Sequence, residues 1–316
     1  MSSAGSYPSK LSVSADVLVR QAAARYGREF RRLGEPRFGY RSTILFMAGV
    51  DEEFVLKVVD GRTRKVEDAS RGIQTLDALS KTSVPVPCPV LDMDGEAVWR
   101  LGDDTLVLYE RAVGVPMPCG EQEHLISAGR ILGEIHRLKI PASLPQTHLS
   151  EALVGCHANS TSPAHKDLAS SLPDGFGVDD VEQCLVHGDF RGQNVLFTDT
   201  LISCVLDWDD ASIGPRLLDL AYGMIFFQAV LKDSAPSTLE MRSFLKGYVQ
   251  VNPLTCEDWE QFPVFSELAR RKGLRLWSSL LEHARYSDQR ARIQEWISSF
   301  SALEGEWSST IGPIVT

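Results

Sequence analysis

The sequence predicts an α+β fold of two lobes: a small N-terminal lobe of mixed sheet plus helices, residues 1–110, and a mostly helical C-terminal lobe, residues 111–316. Before residue 110, β-type runs outnumber helical ones, whereas from Glu121 onward amphipathic helical periodicity dominates. A length of 316 residues, 43% of them hydrophobic, is enough for two modest cores.

Ser14 to Arg32 read as a helix, with Ser14 as cap and Val17, Leu18, Gln21, Ala22 and Tyr26 at helical spacing. Gly34 to Gly39 is a turn region. Ser42–Gly49 (STILFMAG) and Glu53–Val59 (EFVLKVV) read as two strands joined by a tight turn. Val66 to Leu79 is a helix with Ile73, Leu76 and Leu79 on one face. Val84–Leu91 (VPVPCPVL) is extended, because proline cannot donate into a helix. Ala97–Arg100 and Thr105–Tyr109 suggest a hairpin, and Leu106–Pro116 (LVLYERAVGVP) a connector. Glu121–Leu138 is an amphipathic helix, Pro141–Pro173 a polar loop, Asn194–Phe197 and Ser203–Asp207 short strands, and Leu217–Phe300 mostly helix.

The formal charge of −10 argues against nucleic acid or an anionic membrane as partner and is compatible with a cationic small molecule. Cys88, Cys119, Cys156, Cys184, Cys204 and Cys256 form no CxxC pair, so neither a zinc ribbon nor a disulfide framework is indicated. Scattered thiols fit a reducing compartment. No charged-then-apolar leader is visible. The longest apolar stretch, about 217–231, contains Asp219 and falls short of the roughly 20 residues of a membrane span. A cytoplasmic protein with no membrane partner is expected.

The strongest chemical signal is Leu185–Phe197 (LVHGDFRGQNVLF) followed by Cys204–Asp210 (CVLDWDD). Phosphoryl transfer to a hydroxyl needs few protein groups: one carboxylate to orient the hydroxyl and take its proton, and oxygen ligands to hold Mg2+ against the phosphates. Asp189, Asn194 and Asp207 supply that set of residue types. A lone His-Gly-Asp or a lone DxD is common in solvated turns; the combination at this spacing is not.

With these motifs the chain resembles the aminoglycoside phosphotransferase and choline kinase superfamily, whose signature is HGD-x4-N followed by a hydrophobic-D-W/F segment, on a bilobal protein-kinase-like fold. The resemblance covers roughly residues 20–285. Phe244–Leu281 is similar to the C-terminal helices of the homoserine-kinase-like branch. The resemblance implies an ATP-dependent kinase acting on a hydroxyl of a small molecule. ATP and Mg2+ would be the cofactors, Asp189 the catalytic base, and Asn194 and Asp207 the metal ligands. Gly214–Gly223 (GPRLLDLAYG) matches the segment in which an aspartate, here Asp219, braces the catalytic loop. His187 is expected to hydrogen-bond the loop backbone.

Lys57, in a β-branched strand, needs an anionic partner; the resemblance assigns it to the ATP phosphates. The helix glutamate that usually pairs with such a lysine falls near Gly72, and Glu67 is the nearest glutamate. Either the helix is shifted or Lys57 has another partner. The phosphate-covering loop, Arg37–Phe46, has one glycine, Gly39, and places Ser42 where the superfamily often has asparagine. Adenine is expected at backbone groups near Glu110 and Ala112. Arg191, two residues after Asp189, fits charge stabilisation on the phosphoryl oxygens or a solvated loop cation. Asp209 and Asp210 fit a metal shell, an ammonium group of the acceptor, or a turn cap.

The acceptor is a small molecule with a hydroxyl: an amino acid such as homoserine, an amino sugar or aminoglycoside, or an amino alcohol. Acidic residues after Leu239, among them Glu240, Glu257, Asp258 and Glu267, suit an ammonium group, while Arg270, Arg271, Lys272 and Arg275 suit a carboxylate, with Arg271 and Arg275 the residues expected to meet it. The alternatives are a protein serine/threonine kinase, disfavoured by the short interval between Asp207 and Gly214, and a non-catalytic nucleotide-binding regulator, disfavoured by the full set of polar residues.

Overall fold

The computed structural model describes residues 11–39, 42–61, 66–117, 121–139, 181–228, 235–283 and 287–301. The polar loop expected at 141–173 lies outside the described residues. The chain divides into two compact units. One contains the chain up to Val113 together with Leu206–Asp210; the other contains Gly114–Val205 and the chain from Ala211 on.

In the first unit, helix α1 (Ala15–Tyr26) starts at Ser14, whose Oγ accepts from the Val17 N–H. It stops short of the expected Arg32 because Gly27 adopts the left-handed conformation (φ 60°), which glycine reaches without a Cβ penalty. The chain then enters strand β1 (Arg31–Arg32), followed by β2 (Arg37–Phe38), β3 (Ser42–Ala48), β4 (Glu53–Val59), helix α2 (Val66–Leu79), β5 (Val98–Leu101) and β6 (Asp104–Glu110). The sheet order is β1-β3-β4-β6-β5, with β2 also on β3. Its pairings are all antiparallel, so this lobe mixes strands with helices rather than strand directions. The tight turns after Gly49 and Leu101 impose that sense. Leu18, Ala22 and Tyr26 of α1 pack with Leu45, Met47, Phe54, Leu56, Leu106 and Leu108 of the sheet into one apolar core. Strand β4 is central, flanked by β3 and β6, so Lys57 sits in the middle of the sheet, opposite Ile44 and Val107.

The second unit contains β7 (Val115–Pro116), helix α3 (Gln122–His136), β8 (Gln183–Val186), β9 (Val195–Thr198), β10 (Leu201–Val205), β11 (Ser212–Pro215) and helices α4 (Arg216–Phe226), α5 (Thr238–Val251), α6 (Cys256–His283) and α7 (Ser287–Ser301). Strands pair as β10-β9-β7 and as β11-β8. Every residue of α4 is buried. Helices α3 and α5 cross at backbone contact: a Cβ on Gly129 would fall 1.9 Å from the Phe244 carbonyl oxygen, and one on Gly247 1.9 Å from that of Ile126. Only glycine permits that approach. Ser237 and Glu240 start α5 with a capping box.

Candidate active site

Two groups of polar side chains stand out, one in each unit. The first is built on Lys57. Its Nζ lies 2.6 Å from Asp207 Oδ1 and 2.8 Å from Asp209 Oδ2. The lysine side chain is 10% exposed, that of Asp209 6%, and that of Asp207 38%. Burial on its own would favour a neutral amine, but Asp207 and then Asp209 outweigh it and hold the ammonium well above the ordinary lysine range. Lys57 is therefore a fixed cation.

The carboxylates come from a turn just past β10. Asp207 has φ 61°, a left-handed conformation uncommon for a residue with a side chain, and a short 3-10 turn follows at Trp208–Asp210. Trp208, within that turn, is buried. Helix α2 supplies no acid to Lys57. Glu67 is exposed, and Gly72 lies against Asp209: a Cβ there would be 2.9 Å from Asp209 Oδ1. The question raised by the sequence thus has an answer: Lys57 has a different partner. Asp209, for which the sequence offered a metal shell, an acceptor ammonium or a turn cap, pairs with the ammonium of Lys57.

Ser42 opens β3, and its carbonyl accepts from the Gly39 N–H at 2.7 Å, closing the turn before the strand. Glu110 ends β6 with its N–H on the Cys88 carbonyl at 3.0 Å, and half-buried Ala112 follows two residues later.

The second group surrounds Asp189. Its Oδ2 accepts from Arg191 Nη2 at 2.6 Å and from Asn194 Nδ2 at 3.1 Å; its Oδ1 accepts from the Tyr222 hydroxyl at 3.1 Å. Asn194 Nδ2 also donates to the Asp189 carbonyl at 2.9 Å, which fixes the orientation of the amide. Arg191 is thus paired to Asp189 rather than a solvated cation. The loop is held from beneath. Asp219 on α4 accepts from the His187 N–H at 2.9 Å and the Gly188 N–H at 3.0 Å, the bracing expected of it. Gly188 has φ 78°. His187 is fully buried and its Nδ1 accepts from the Asp189 N–H at 3.2 Å, so it serves the loop backbone. Burial alone would raise the Asp219 carboxyl; hydrogen bonding from His136 and nearby positive charge outweigh it and lower it. His136 in turn meets the Tyr248 hydroxyl at 2.9 Å.

Sequence reasoning missed Tyr222 and grouped Lys272 with a cluster suited to a carboxylate. Lys272 donates to the Gly188 carbonyl at 2.9 Å and lies 4.7 Å from the centre of the Tyr222 ring. Tyr222 lies three residues past Asp219, within one helical turn; that spacing was the available signal. Arg271, expected to receive a carboxylate from the acceptor, receives that of Glu267 at 2.6 Å, which Arg270 shares. Arg275 is half-buried on the same helix. Glu240 and Asp258 are likewise engaged, in the α5 cap and with Thr255 and Arg216. Among the described residues no cluster of three or more His, Cys, Asp or Glu side chains is arranged to hold a metal, and no helix is long and apolar enough to cross a membrane.

A two-unit α+β fold with a buried strand lysine and a braced His-Gly-Asp loop is that of a kinase-type phosphotransferase. Residues 37–250 match the model of the phosphotransferase enzyme family (APH), and the chain belongs to that family. It is 26% identical to a homoserine kinase of Pseudomonas aeruginosa over 264 residues, covering 80% of this chain and 81% of that protein. Among solved structures, a microcompartment-associated aminopropanol kinase is similar in fold, with a TM-score of 0.68 at 20% identity, covering 95% of this chain and all of that one. An amicoumacin kinase in complex with AMP-PNP and Ca2+ aligns with a TM-score of 0.66 at 17% identity, covering 92% and 94% of the two chains.

Proposed function

We propose that this phosphotransferase moves the γ-phosphoryl group of ATP onto a hydroxyl of a small, amine-bearing molecule, with Asp189 as the base. The observation that carries this reading is the state of Asp189: a carboxylate aimed by three side-chain donors on a loop whose backbone is itself held by Asp219. A group fixed in this way can orient an acceptor hydroxyl and accept its proton as the O–H bond breaks and the new O–P bond forms.

Lys57, kept charged, is suited to pairing with phosphate oxygens, and Ser42 and the backbone near Glu110 and Ala112 to the remainder of the nucleotide. Asp207 and Asn194 each offer an oxygen of the type Mg2+ prefers; Asp207 is the more open of the two acids on Lys57. Bound Mg2+ would neutralise charge on the phosphates during transfer. Arg191 lies beside the Asp189 carboxylate; once the proton neutralises that carboxylate, its guanidinium is suited to the negative charge on the phosphoryl oxygens. A protein acceptor is disfavoured because β11 begins at Ser212 and α4 at Arg216, which leaves no long activation segment after Asp207.

The names of the similar proteins, homoserine kinase and aminopropanol kinase, share one acceptor chemistry, a hydroxyl on a short carbon chain bearing an amine. Incubation with Mg-ATP and a panel of homoserine, amino alcohols and aminoglycosides, read by mass spectrometry, should show the gain of one phosphate on at least one amine-bearing acceptor. Phosphorylation confined to proteins, or to acceptors without an amine, would overturn the reading.

A further inference from the structure

We propose that Asp209 is the positioning residue for Lys57, the carboxylate that keeps this ammonium in place while Asp207 turns to other work, and that Gly72 is small because Asp209 needs its space. The inference deepens the proposed function and rests on the assignment of Lys57 to nucleotide phosphates.

The two acids on Lys57 differ in every respect that matters here. Asp207 is 38% exposed and stands on a left-handed residue at the start of the turn. Asp209 is 6% exposed, sits within the 3-10 turn, and is packed against α2. A carboxylate open to solvent can exchange the lysine for another cation at small desolvation cost. One that is buried exchanges it only at a large cost, because the incoming cation would have to shed its water in a low-dielectric site. Lys57 is itself nine-tenths buried in the central strand, so it needs a constant counter-charge whatever Asp207 does.

Gly72 shows how this arrangement is accommodated. An added Cβ there would meet Asp209 Oδ1 at 2.9 Å, its Cα at 3.4 Å and its N at 3.5 Å. Any side chain at 72 would contest the space of the Asp209 carboxylate. The first of these contacts vanishes if Asp209 is cut back to alanine, and the other two are near ordinary van der Waals distance. A glutamate at 72 would then start beside the vacated carboxylate position, within reach of Lys57. The geometry therefore predicts a rescue: the anchor can be moved from the turn to the helix.

The experiment measures Mg-ATP affinity by calorimetry, and unfolding by circular dichroism, for wild type, Lys57→Ala, Asp209→Asn, Asp209→Ala and Gly72→Glu with Asp209→Ala. Asp209→Asn keeps the shape and removes the charge, so it should fold and bind Mg-ATP at least about tenfold more weakly, the usual scale for a charge-assisted hydrogen bond. Asp209→Ala should lose at least as much, and adding Gly72→Glu should recover most of it. A folded Asp209→Asn protein with wild-type affinity would overturn the proposal. So would a folded Gly72→Glu, Asp209→Ala protein no better than Asp209→Ala, since a loss that a relocated carboxylate cannot restore is a packing defect. If that double variant does not fold, Asp209→Asn decides alone. Lys57→Ala separates the two levels: wild-type affinity there would refute the nucleotide role of Lys57, whereas weak binding in Lys57→Ala beside normal binding in Asp209→Asn would refute only the anchor.

Discussion

The Lys57 group and the Asp189 loop solve the same problem, holding a charge in a defined direction, by opposite means. Lys57 is fixed by burial in a central strand and by carboxylates that lie 150 and 152 residues away in the chain. Asp189 is fixed by neighbours two and five residues along and by Tyr222, on a loop whose backbone N–H groups are tied down by Asp219. The first is ion pairing around a buried ammonium, which needs at least one carboxylate kept on it. The second is a hydrogen-bond network that tolerates partial loss, because three donors share one carboxylate. Ion pairing across the sequence fixes the cation of the first unit; a hydrogen-bond network built on a local motif fixes the carboxylate of the second.

The difference can be tested by mutation, and the largest effect belongs to the open carboxylate. Asp207→Ala should lower Mg2+-dependent turnover by at least about 10²-fold, since the proposed metal ligand and a partner of Lys57 go together. Asn194→Ala should fall less, because water can replace an amide oxygen. A Mg2+ titration of activity checks both, and an Asp207→Ala enzyme with wild-type metal dependence would break the assignment.

Asp219→Ala should be next, and should appear as stability rather than chemistry. It removes the acceptor of two backbone N–H groups and of His136, and leaving buried donors unpaired costs about 1–3 kcal/mol each, so a loss of about 3 kcal/mol or more in urea unfolding is expected. The sign with pH follows from a folded pKa lowered below its ordinary value. The contribution is fully present above the unfolded value of about 3.9 and fades as pH falls through the lower folded value, so the gap between wild type and Asp219→Asn should narrow only in strong acid.

Tyr222→Phe removes one of the three donors to the Asp189 carboxylate and should lower kcat by about tenfold, the low end for a hydrogen bond to a charged group because two donors remain, with ATP affinity unchanged. A loss of 10²-fold or more would show that the network is not shared in the way described. The smallest effect is expected from Arg271→Glu with Arg275→Glu. Glu267 already neutralises Arg271, so the acceptor KM should move by no more than about threefold. A rise above tenfold with ATP KM unchanged would instead place an acceptor carboxylate at this helix.

The contrast between the two groups also explains how much the sequence disclosed. The Asp189 loop was legible because its geometry is local: HGD-x4-N encodes contacts within five residues, and the brace at Asp219 lies in a recognisable segment. The strand of Lys57 and the need for an anionic partner were readable from its β-branched neighbours. The identity of that partner was not, because Asp209 reaches Lys57 through tertiary packing on Gly72, which no spacing records. The end of α1 at Gly27 was missed for a related reason: apolar periodicity continued past a glycine whose left-handed turn redirects the chain. On α6 the basic cluster looked like a binding surface in sequence, yet Glu267 pairs with Arg270 and Arg271, and Lys272 reaches Gly188. Charge composition alone could not distinguish a surface cluster from internal ties.

The central claim, that Asp189 takes the acceptor proton while separate groups hold the nucleotide, is tested most directly by Asp189→Asn. Single-turnover phosphorylation of the best acceptor from the panel and calorimetric Mg-ATP binding should be measured on the same preparation. The account predicts phosphoryl transfer slower by at least about 10²-fold, as for loss of a general base, with Mg-ATP affinity within about threefold of wild type. Transfer at near wild-type rate in the folded variant would contradict it.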